Sequence, residues 1–85
     1  MNNKDFNEGK PVPLNMVEPG TEVKLASIEG GMNLHRRLTD MGLKKGSRFS
    51  IMKTMGPGPC VIQSGESRLA LGVGMASKIL VQKAE

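Results

Sequence analysis

One histidine, one cysteine and eight scattered carboxylates are the groups this 85-residue chain offers for nucleophilic or acid–base chemistry. A cysteine nucleophile needs a base within hydrogen-bond reach, and 25 residues separate His35 from Cys60. Cys60 opens an apolar run and reads as a small buried hydrophobe. His35 has no Cys or His at ligand spacing and reads as a solvated helix residue. The carboxylates stand singly, so no acid/base pair is apparent. A metal site needs oxygen or nitrogen ligands that converge, whereas Glu29, Asp40 and His35 are dispersed. Gly72-Val73-Gly74 resembles the start of a dinucleotide fingerprint. Such a fingerprint needs a long helix, a second strand and an acid about 20 residues on, and only 11 residues follow Gly74 here. Gly30-Gly31 lacks a following Gly-Lys-Ser/Thr and reads as a turn. No enzyme, cofactor or metal site is expected.

Association chemistry is better represented. The net charge is +4, but residues 1–30 carry −2, residues 31–53 carry +5 and residues 54–85 carry +1. An electrostatic partner therefore meets the middle of the chain, at Arg36, Arg37, Lys44, Lys45, Arg48 and Lys53. Seven methionines are many for this length, and Met32, Met55 and Met75 adjoin Gly-rich breaks, where flexible thioethers suit adaptable protein contacts. A small basic barrel that grips nucleic-acid phosphates is the alternative reading. It is disfavoured because single-strand binders stack bases on rings, and the only rings are Phe6 and Phe49.

Those residues must be positioned by a very small structure. A chain of this size exposes roughly 5,000 Å² when folded and buries about 60% of its unfolded surface, which makes the core marginal. One cysteine excludes an internal disulfide framework. No apolar run approaches the roughly 20 residues of a membrane span, and the polar start is unlike a signal peptide.

Residues 1–12 read as a flexible tail that ends at Gly9, Pro11 and Pro13. Glu18-Pro19-Gly20-Thr21 is a turn, followed by an alternating strand over 22–28. Leu34, Leu38 and Met41 recur at helical spacing, with Asn33 as the expected cap and Gly42 as the left-handed residue after the end. Lys44-Lys45-Gly46-Ser47 turns into a strand over 48–53. A hairpin follows, formed by 60–63 and 68–71, then one tight connection and a last strand at 79–81. Five short strands with one helix inserted after the first predict a mainly β, strongly bent small barrel.

From Leu14 to Lys83 the residues resemble the FeoA family, small cytosolic proteins of bacterial ferrous-iron uptake. The likeness rests on Pro19-Gly20 before a strand, Ile28-Glu29-Gly30-Gly31, and the block from Arg37 to Ser47. Leu69-Ala70-Leu71, Ala76, Ile79 and Val81 complete it. The resemblance implies an SH3-like five-stranded barrel, without an activity of its own, over residues 13–85. It also implies a partner: FeoB, a membrane transporter with a cytosolic GTP-binding domain. On this reading the protein is cytoplasmic and meets the membrane only through that transporter, and a weak homo-oligomer is compatible with it. Arg36, Arg37, Met41, Lys44, Lys45, Met55 and Met75 are the expected partner-binding residues.

Overall fold

The computed structural model describes residues 4–54 and 58–84. Its elements, in chain order, are α1 (Lys4–Asn7), β1 (Val12–Pro13), a 3-10 turn (Leu14–Met16), β2 (Glu22–Ile28) and α2 (Met32–Asp40). They continue with β3 (Arg48–Lys53), β4 (Cys60–Ser64), β5 (Ser67–Leu71), α3 (Val73–Ala76) and β6 (Ile79–Lys83). The six strands form one antiparallel sheet in the order β1-β6-β2-β3-β4-β5. Alternation places Val23 and Leu25 of β2, Phe49 and Ile51 of β3, and Ile79 and Val81 of β6 on the buried face. Register shifts between Leu25 and Ser27 and between Ile51 and Lys53 bend the sheet around that face. β1 and β5, the ends of the strand order, share no ladder among the described residues, so the bent sheet is not closed by hydrogen bonds between them.

One core holds the structure together. Leu14, Leu25, Leu38, Leu43, Ile51, Ile62, Leu71 and Ile79 are fully buried in it. The exposed area, 5334 Å², is close to the value expected for a folded chain of this mass. α2 contributes Leu38 as its buried residue, with Leu34 and Met41 packed beside it.

Three local readings need correction. Residues 4–12 are more than a flexible tail: Phe6 is buried, Gln82 Nε2 donates to the Gly9 carbonyl at 2.8 Å, and Val12 pairs with Val81. A lone aromatic among polar residues has no periodicity, so its burial left no mark on the sequence pattern. Val12–Pro13 also adds a sixth strand to the five expected. Finally, α2 starts at Met32 with Gly31 as its N-cap, not at Leu34 with Asn33. The Gly31 carbonyl accepts from the N–H groups of both Leu34 and His35, so the helix is already under way at Asn33.

Candidate docking surface

The basic segment occupies α2 and the turn that follows it, and the backbone fixes both. At the end of α2 the chain leaves through Gly42, whose φ of 87° lies in the left-handed region. The Leu43 N–H donates to the Leu38 carbonyl at 2.8 Å and the Gly42 N–H to the Thr39 carbonyl at 2.9 Å. These are the paired bonds of a Schellman end, sealed by contact between two apolar side chains, here the buried Leu38 and Leu43.

Lys44–Ser47 comes next as a tight turn. The Ser47 N–H donates to the Lys44 carbonyl at 2.9 Å, and Gly46 has φ of 92°. Positive φ at the third position alone makes it type II, which selects glycine there. The Lys44 N–H donates in turn to Ser47 Oγ at 3.0 Å. Two further bonds lock the turn to β2: Leu25 N–H to the Ser47 carbonyl and Gly46 N–H to the Leu25 carbonyl, both 2.8 Å. Lys44 and Lys45 are thus exposed side chains on a clamped backbone.

Leu38 marks the inward direction of α2. At 100° per residue, His35 and Thr39 lie roughly 60° and 100° to one side of it. Arg37 lies roughly 100° to the other side, and Arg36 roughly 160° away, out into solvent. The His35 and Thr39 flank forms one wall of a groove of about 360 Å³. Leu25, Ala26, Ser27 and Ile28 of β2 form the opposite side, and Lys44 and Lys45 line it as well. Ile28 and Ala26 are half-buried, and Thr39 Oγ1 is turned back onto the His35 carbonyl at 2.9 Å.

The expected partner-binding residues therefore divide. Lys44 and Lys45 come together with His35 at the groove. Arg36 and Arg37 are exposed on other faces of the same helix. Met41 and Met75 are half-buried and packed against the core, so they are mainly core side chains. Met55 lies outside the described residues. Among the described residues the most displayed large apolar side chains are instead Met32, 77% exposed on α2, and Val73, 59% exposed on α3, with Met16 and Met52 exposed to a lesser degree. His35, Thr39 and β2 residues 26–28 were not singled out as partner-binding. The spacing of four between His35 and Thr39, on the flank beside the Leu38 stripe, is the signal that marks them.

Charge on this surface is unneutralised. Among the described residues the single ion pair is Lys10 with Glu8, at 3.6 Å, and neither residue lines the groove. Among those residues, too, no three His, Cys, Asp or Glu side chains stand together in a metal-holding group. Cys60 is buried, and desolvation pushes its thiol above the ordinary value of 9.0. No described helix is long and apolar enough to cross a membrane.

The model of the FeoA domain matches residues 12–83. The chain belongs to the FeoA family. A protein described as a putative Fe(2+) transport protein A from Methanocaldococcus jannaschii is 36% identical over 73 residues, spanning 86% of this chain and 88% of that protein. A crystal structure of an iron uptake regulatory protein, FeoA, aligns with a TM-score of 0.77 at 35% identity, over 87% of this chain and 97% of the other. The solution structure of a FeoA-like protein from Clostridium acetobutylicum aligns with a TM-score of 0.74 at 27% identity, over 88% of each chain. Both structural neighbours support the SH3-like assignment.

Proposed function

We propose that this FeoA-family chain is a non-enzymatic accessory module of ferrous-iron transport that docks in the cytoplasm on FeoB through α2 and the turn after it. Two lysines without carboxylate partners among the described residues, held on a turn that is bonded twice to β2, are the observation that carries the reading. Because the backbone is already fixed, a partner that neutralises these charges has only the side-chain rotamers left to order, which favours recognition over structure as their role. Arg36 and Arg37 extend the positive field outward along α2 and steer the encounter. Met32 supplies the adaptable apolar contact beside them. Residues 13–85 are the docking domain on this reading, and α1 packs onto it.

Calorimetry with the cytosolic domain of the transporter from the same organism, at low and high salt, tests the proposal. Saturable binding that weakens with salt and disappears on joint charge reversal of Arg36, Arg37, Lys44 and Lys45 is expected. Binding unchanged by that reversal in a protein with an unaltered melting curve would sink it. A random duplex is the control: duplex binding alone, collapsing with salt, would transfer the surface to nucleic-acid phosphates.

A further inference from the structure

The groove between β2 and α2 has a chemistry more specific than a basic patch. Its β2 side is apolar at the half-buried Ala26 and Ile28, with Ser27 between them, and Lys44 and Lys45 line it too. No acidic residue is among its lining residues. Its volume, about 360 Å³, lies at the small end of the roughly 300–1,000 Å³ usual for ligand sites. Met32 stands roughly 120° from Leu38, on the same flank of α2 as His35 and Thr39, and extends that wall with exposed apolar surface.

The acidic residue of α2, Asp40, lies roughly 160° from Leu38 and away from the groove flank. Lys44 and Lys45 have no carboxylate within salt-bridge distance among the described residues. A ligand that fits must therefore bring both an apolar side chain for the β2 wall and negative charge for the turn. Inorganic anions meet only the second requirement, and a nucleic-acid backbone leaves the apolar wall uncovered.

We infer that this groove receives a short acidic segment of the partner protein, with an apolar side chain against Ala26 and Ile28 and adjacent carboxylates on Lys44 and Lys45. The inference rests on the docking reading above and names what is recognised there. It also separates two parts of the basic surface: the turn lysines bind, whereas Arg36 and Arg37 attract.

The test is an amide-shift NMR titration of the full chain with two capped synthetic hexapeptides, Asp-Leu-Glu-Asp-Leu-Glu and its amide counterpart Asn-Leu-Gln-Asn-Leu-Gln. Shifts confined to residues 25–28, 35, 39 and 44–45, given by the acidic peptide only, are expected. Joint Lys44→Glu and Lys45→Glu substitution should weaken them roughly tenfold. Joint Lys10→Glu and Arg68→Glu substitution makes the same change in net charge away from the groove and should leave them in place. Shifts of equal size from the amide peptide, from inorganic phosphate or from a random duplex would overturn the inference, as would none with the acidic peptide at millimolar concentration. Transporter binding without any peptide shift would reject the groove and keep the docking reading. Peptide shifts without transporter binding would support the groove's ligand class and reject the transporter as the partner.

Discussion

Gly30 illustrates how much single residues decide here. Its φ is 138°, and a Cβ placed on it would stand 2.9 Å from Leu34 Cδ2. The nearby atom is the end of a flexible side chain, so strain in the backbone is the larger effect. Gly30→Ala is expected to cost about 1–3 kcal/mol in urea unfolding. Cys60 makes a second residue-scale prediction. Its thiol is raised by burial, so the folded state keeps a proton that the unfolded state releases as pH passes 9.0. Stability contributed by the neutral thiol is complete below that pH and falls above it. The unfolding free energy of the native protein should therefore drop more steeply above pH 9 than that of Cys60→Ala. Parallel pH dependences for the two would show that the thiol titrates as if exposed.

At the scale of elements, the run from α2 through the turn into β3 works as one unit. The Schellman end sets the exit of the helix, and the type II turn sets the entry of the strand. Bonds to Leu25 tie the turn to β2. Ser47 closes this arrangement, because its Oγ accepts the Lys44 N–H at 3.0 Å while its backbone bonds both Lys44 and Leu25. Ser47→Ala should cost about 0.5–1.5 kcal/mol of stability. Its more telling effect is faster hydrogen exchange at the Lys44 amide, and, on the docking proposal, lower transporter affinity because the lysines are less fixed. Unchanged exchange at Lys44 would show that the backbone bonds alone hold the turn.

The whole molecule is small enough that its first residues matter. Phe6 is 6% exposed and joins the core from α1, which packs on β6. Phe6→Ala should destabilise the protein by about 3 kcal/mol, at the low end for a buried aromatic because a short terminal helix can shift to close the gap. Thermal melts of that variant, and of a chain lacking residues 1–9, should show similar losses. A truncated chain as stable as the full one would mean that α1 adds nothing to the core. Against the roughly 4–13 kcal/mol usual for a domain of this length, a loss of that size is a large fraction of the total.

The local grammar of this fold was legible in the sequence. Alternation at Val23, Leu25, Phe49 and Ile51, the stripe of Leu34, Leu38 and Met41, and glycines at positions 20, 42 and 46 are local steric and burial signals. They placed the strands 22–28 and 48–53, the helix and the turns, because the residues that cause each element lie within it. The block from Arg37 to Ser47 carried the FeoA likeness for the same reason. Tertiary structure alone decided what contact over long separations controls. Phe6 reaches the core, Val12 pairs with Val81 some 69 residues away, and Met41 and Met75 turn inward while Met32 stays outside. Likewise, sequence charge located the basic segment but could not divide it. The division followed only when β2 was laid beside α2, which leaves Lys44 and Lys45 on a groove and turns Arg36 to open solvent. A linear count of charge contains no direction, and direction is what the packed helix supplies.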